Sequence, residues 1–246
     1  LVRYAATVGR SPHSMVGSTR HGVNLFALLV GSTSQGRKGT AEADAEGLFR
    51  LAGEEALVPT TSGLGSGEGL VNAVRDEVKK SRVVKEKGGS SHVEDYVAED
   101  GVEDKRLLVS EAEFAHPLRV AQREGSVLSP VIRLAFDGAD LRITTRNTPL
   151  RASDPHVCIL GHIPPEEERR LLADAEVESG FANRFAHFAV RRSKLLPNVR
   201  PVPRDVAVPL AARLREAVSF GCAVGEMGRD AAAEELEGDA FLELVG

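Results

Sequence analysis

The chain has 246 residues, room for one large domain or two small ones, and its 42% apolar content excludes disorder as the whole answer. Lys and Arg total 31 against 36 Asp and Glu, a net charge of −5, which excludes a basic coat for nucleic acid; any polyanion must meet a local basic stripe. Aromatic residues make up 4% and Trp is absent, so platforms for base stacking are scarce.

The two cysteines, Cys158 and Cys222, are too few and too far apart in sequence for a disulfide framework, and this usage fits a reducing compartment, with the cytoplasm as the default. The longest mostly apolar run, residues 23–30, has eight residues, against the roughly 20 that span a bilayer. The first residues lack the apolar centre and small-residue cleavage site of a signal peptide. A start at Leu1 and an abrupt end at Gly246 lead us to expect a piece of a longer chain, with residues 1–21 as a lead-in from an upstream domain.

In chain order, residues 23–30 (VNLFALLV) between Gly22 and Gly31 read as a strand buried on both faces. A Gly- and Ser-rich loop follows, then helix-forming residues 40–52. The segment 62–69 (SGLGSGEG) leads into a second helical stretch at 70–75, and residues 79–105, rich in charge and Gly, read as a solvated loop or insertion. Residues 106–111 (RLLVSE) form a second buried strand ending on a carboxylate, with helical spacing over 112–123 and 127–136. A third such run, 157–162 (VCILGH), precedes Pro164, Pro165 and three glutamates, a helix-opening signature. Residues 184–190 alternate as a fourth strand, and after a Pro-rich connector 205–220 read as a late helix in a C-terminal helical segment, 201–246. Alternation of this kind predicts an α/β fold, a mostly parallel sheet flanked by helices, with its core over 22–200; no internal repeat is visible.

In an open parallel sheet a ligand sits beyond the carboxyl ends of the strands, so the residues after each apolar run carry the chemistry. After the first run stand Gly31, Ser32, Thr33, Ser34, Gln35, Gly36, Arg37, Lys38, Gly39 and Thr40, close to the pattern whose backbone N–H groups cradle phosphates at a helix start. Lys38 is placed to reach terminal phosphates and Thr40 a metal ion, although Arg37 occupies the usual lysine place and Lys38 comes one residue late. Glu111 and Glu113 close the second run: one carboxylate would hold the metal's water shell and the other would act as base, the competing reading being acids that merely open a helix. The 62–69 segment fits G-x-G-x-x-G in neither register, which argues against a dinucleotide fingerprint; it is either a mobile active-site loop presenting Glu68 or Ser66, or a plain connector. His162 follows the third run at a position suited to sensing phosphate, or is a structural histidine. Arg184 precedes the fourth strand as an arginine finger or an ordinary strand-edge charge. Arg191, Arg192 and Lys194 make the compact basic cluster that could meet a nucleic-acid backbone. Cys/His metal spacing and G-x-S-x-G are both lacking, which disfavours zinc sites and serine hydrolases.

Taken in order, GRKGT, SGLGSGEG, LLVSEAEF, ILGHI and GFANRF resemble the helicase-like ATPase module of phage, prophage and plasmid primase-helicase replication proteins, over about residues 22–197. The resemblance implies a P-loop NTPase of RecA-like or AAA type that uses ATP and Mg²⁺. It assigns nucleotide and metal contacts to Gly36, Lys38, Thr40 and Glu111, gives Arg184 to a neighbouring subunit's nucleotide, and implies a homo-oligomeric ring acting on single-stranded or duplex DNA. Two other functions compete with it: a small-molecule phosphotransferase of the nucleotide-kinase kind, since Lys-Gly-Thr occurs there too, and a non-hydrolysing scaffold with a decayed loop.

Overall fold

In the computed structural model, which describes residues 1–32, 38–85, 91–144, 150–172, 180–191 and 201–228, the apolar runs become the strands of one sheet. Its five strands are β3 (Phe26–Val30), β4 (Thr60–Thr61), β7 (Arg106–Glu111), β10 (His156–Ile163) and β11 (Phe185–Ala189), in the order β11-β3-β10-β7-β4. All four pairings are parallel. The protein is therefore α/β, with a parallel sheet flanked by helices.

The period of two explains why these strands need cover on both sides. Phe26, Leu28 and Val30 of β3, Leu107 and Val109 of β7, and Val157 and Ile159 of β10 point into the main core. That core is closed by α3 (Gly67–Asn72), α4 (Ala115–Ala121), α5 (Leu128–Phe136) and α6 (Pro165–Leu171). Ala27, Leu108 and Cys158, the alternate residues, face α1 (Val2–Val8), which buries Val2, Ala5 and Ala6 against them. The opening residues, expected to be a lead-in, thus supply one layer of this fold. Two further helices continue that layer. Helix α2 (Lys38–Ala52) buries Phe49 and Ala52 against Ala211 and Val218 of α7 (Arg204–Ala223).

A chain of rings stiffens the core: Phe26 meets Phe136 and Phe185 at centroid distances of 5.2 and 5.4 Å, and Phe185 meets Phe114 and Phe181 at 5.2 Å. Gly161 makes this packing possible. A Cβ there would lie 2.6 Å from the Phe114 ring and 2.7 Å from Leu28, closer than packed carbons approach.

The charged stretch 79–105, expected as a solvated loop or insertion, is not loop throughout. Much of it forms a two-stranded antiparallel ribbon, β5 (Val78–Lys85) and β6 (Ser91–Glu99), with exposed faces. Val83 stands opposite Val93, and Arg82 faces Glu94 in a 2.8 Å ion pair while lying over the Tyr96 ring. Val78, Val83, Val84, Val93, Tyr96 and Val97 carry the strand preference; the surrounding lysines and acids mask it in a composition-based reading. Two short hairpins, β1 (His13–Val16) with β2 (Thr19–Gly22) and β8 (Leu141–Ile143) with β9 (Leu150–Ala152), and two single 3-10 turns, Glu54–Ala56 and Ala182–Arg184, complete the described elements.

Candidate functional site

The connections that leave β3 and its neighbour β10 run in opposite directions across the sheet. From β3 the chain crosses to the far edge at β4, and it then returns through β7 and β10 to β11 on the other side of β3. A reversal of this kind opens a crevice beyond the carboxyl ends of the strands. At that end lie Gly31 and Ser32 after β3, the start of α2 with Gly39 and Thr40, Ser110 and Glu111 closing β7, His162 near the end of β10, and the 62–66 loop after β4. Thr33, Ser34, Gln35, Gly36 and Arg37 fall outside the described residues, as does the side chain of Lys38.

Gly31 sits where two chain segments close on each other. Its N–H donates to the Ile163 carbonyl at 3.0 Å, and a Cβ would come within 2.5 Å of the Val190 carbonyl oxygen. The end of β3 is thereby pinned between β10 and β11, and any larger residue would push it out.

Glu111 is buried, and its Oε1 accepts a 2.6 Å hydrogen bond from the Leu64 N–H. The contact ties the Gly-rich 62–66 loop to the end of β7. Ser66 caps α3, its Oγ accepting from the Gly69 N–H at 3.0 Å, so this serine has a structural role. Glu68 is exposed in the first turn of α3. Glu113 is exposed in the turn before α4, beyond the strand end that holds Glu111. The two carboxylates expected to act together thus stand in different surroundings.

Glu42, on α2, is a residue that the motif reading passed over. Its Oε1 accepts a short hydrogen bond from Ser110 Oγ, and its Oε2 lies 3.6 Å from His162 Nε2. His162 is buried, and its carbonyl accepts from the Phe114 N–H at 2.9 Å, which holds the turn after β7 against the end of β10. Glu42, Ser110 and His162 therefore converge from α2, β7 and β10. The available signal was spacing: Glu42 follows Lys38 by four residues, about one helical turn, so both share a face of α2.

Arg184 is not brought to this place. It precedes β11, at the end where the strands begin, and donates to the Asp137 carboxylate at 2.9 Å and the Gly180 carbonyl at 2.9 Å. Its guanidinium also lies 5.8 Å from the centre of the Phe136 ring. Arg191 follows β11 at the same end as Gly31 and is exposed, whereas Arg192 and Lys194 lie outside the described residues.

Among the described residues no three His, Cys, Asp or Glu side chains converge on one point, so no all-protein metal cage is present there. Carboxylate and hydroxyl oxygens from Glu42, Ser110 and Glu111 share one end of the sheet. That donor chemistry suits Mg²⁺, a hard cation that keeps several waters and takes one or two carboxylates plus phosphate oxygens. Cys158 is a buried free thiol pushed up to about 12 by burial, and so stays protonated and inert at neutral pH; Cys222 is free and exposed. Among the described residues no helix is long and apolar enough to cross a membrane. No protein-family profile matches the sequence, and no curated protein matches it.

Proposed function

We propose that this chain is an ATP-hydrolysing, helicase-like motor module of the P-loop NTPase class that acts in the DNA replication of a mobile element. The observation that carries the reading is a convergence: the 31–40 segment leads from the inner strand β3 into helix α2, at the same sheet end as Glu111, Ser110, Glu42 and His162. Phosphoryl transfer asks for little covalent help from a protein. It needs positioned phosphates, neutralised charge and an oriented nucleophile.

In this reading the backbone N–H groups of the 31–38 segment and the start of α2 bind phosphate oxygens, and Lys38 adds a point charge toward the terminal phosphates. Thr40 and a carboxylate would hold Mg²⁺, whose contribution when bound is to offset charge on the phosphate oxygens. Glu111, kept in place by the Leu64 N–H, orients the attacking water and takes its proton. Bond formation to the γ-phosphorus by that water and cleavage of its bond to the β–γ bridging oxygen give ADP and phosphate. Arg184, at the opposite end of the sheet, can serve only the nucleotide of a neighbouring copy, which makes a homo-oligomeric ring part of the proposal. DNA would meet local cations, with Arg191 at the nucleotide end of β11 the described candidate.

Measuring ATP turnover with and without single-stranded DNA tests the reading. Hydrolysis stimulated by DNA is the expected result. Phosphate transfer to a nucleoside acceptor, indifferent to DNA, would replace it with a kinase, and absent turnover with a non-hydrolysing scaffold.

A further inference from the structure

The end of β7 sets a problem for the proposed chemistry. The residue before Glu111, on the side of the strand that faces α2, is Ser110, and a neutral hydroxyl cannot supply the negative charge that a nucleotide-bound divalent cation requires. Alternation along the strand turns Glu111 the other way, into the side occupied by Leu107 and Val109, where the Leu64 N–H engages it. If Glu111 both held the cation and took the proton from water, one carboxylate would perform two roles that phosphoryl-transfer sites usually divide.

The structure supplies the second carboxylate from another element. Glu42 stands one turn into α2, its Oε1 accepting from Ser110 Oγ and its Oε2 lying 3.6 Å from His162 Nε2, and its side chain is largely withdrawn from solvent at 20% exposure. The Ser110 hydrogen bond holds a flexible side chain over the end of β7. We propose that Glu42, presented by Ser110, is the carboxylate that holds Mg²⁺ beside the phosphate segment, leaving Glu111 as the base. This inference rests on the nucleotide-binding reading of the 31–40 segment. It also makes His162 a positioning residue, whose contact with the second oxygen of Glu42 links the end of β10 to occupancy of the nucleotide site.

The test measures binding, with catalysis kept out of the readout: titration of a fluorescent ATP analogue into the full chain at a series of Mg²⁺ concentrations and in excess chelator. Glu42→Gln keeps the hydrogen-bond acceptor for Ser110 and removes the charge. It is expected to raise the Mg²⁺ concentration needed for half-maximal binding by about tenfold or more, with binding in chelator unchanged. Adding Ser110→Asp to Glu42→Gln relocates the carboxylate by one contact, and should return the Mg²⁺ requirement toward that of the unaltered chain. Glu46→Gln, which affects an exposed ion pair with Arg50 one turn further along α2, is the control and should change nothing. Thermal melting of each variant separates a lost ligand from a lost fold. A Glu42→Gln chain with an unaltered Mg²⁺ requirement overturns the inference and leaves the nucleotide reading standing, as does a folded double variant no better than Glu42→Gln. An unaltered chain whose nucleotide binding ignores Mg²⁺ overturns both.

Discussion

Strand β10 carries a buried histidine near each end, and the two have opposite surroundings. His156, where the strand begins, has its Nε2 2.8 Å from the Ala5 carbonyl, and burial, followed by the nearby Arg10 and Arg106 guanidiniums, lowers its pKa from 6.5 to about 4. The cations around that end are closed on partners: Arg106 on Asp104 at 2.8 Å, Arg10 on Asp154 at 3.2 Å, and Arg184 on Asp137 at 2.9 Å. His162, near the other end, meets a carboxylate delivered by the helix that follows the Gly-rich segment. Polar groups at the first end fasten α1 and the loops to the sheet. At the second, Glu42 and Glu111 reach the same strand end from α2 and β7. Burial of a histidine is thus uninformative by itself; what its partner belongs to distinguishes a fastening from a site.

The largest expected effect falls on the carboxyl end. Lys38→Ala should abolish nucleotide binding or turnover, with Arg37→Ala milder, checked by analogue binding and phosphate release; the reverse ranking would move the phosphate-facing charge to Arg37 and shift the register by one residue. Glu111→Gln comes next, lowering hydrolysis by about 10²–10⁴ with binding retained. Glu113→Gln should stay near the parent rate because Glu113 is exposed beyond the strand end. Equal losses in the two would erase the distinction drawn between a held carboxylate and a solvated one.

Arg184 tests whether the opposite end is purely structural. Acting in trans, its loss should cost about 10³ in rate, and Arg184→Ala chains mixed with Lys38→Ala chains should recover activity at interfaces pairing an intact loop with an intact arginine. Stable mixed oligomers without recovery would return Arg184 to its intramolecular role with Asp137 and Phe136.

The smallest effect is thermodynamic. Because the folded chain holds His156 neutral down to about pH 4 while an unfolded chain protonates it below its ordinary 6.5, the unfolded state binds more protons in that window. Stability present above pH 6.5 is therefore lost as the pH falls toward 4, by roughly 3 kcal/mol from this group. Urea midpoints measured across the window should show His156→Gln with a shallower fall than the parent; parallel curves would mean that protonation of His156 is not coupled to unfolding.

Much of this architecture is already written in the amino-acid order. The runs at 23–30, 106–111 and 157–162 are apolar without alternation because strands covered on both faces have no solvent side, and each matched a central strand to within a few residues. The helix starting at Pro165 and the long late helix were legible for local reasons, namely a proline followed by acids and helical apolar spacing. Strand β4 was not, since two threonines carry too little pattern and are ordered by pairing with Leu108 and Val109. Nor was α1, whose burial depends on Ala27, Leu108 and Cys158 far along the chain. The candidate site divides in the same way. Glu111 announces itself at the end of an apolar run, but that Glu42, and not Glu113, reaches the same strand end through Ser110 depends on the register of β7 against β10 and on where α2 lands. Contacts between residues 68 apart in sequence, such as Ser110 and Glu42, are set by packing of the whole sheet and leave no local mark.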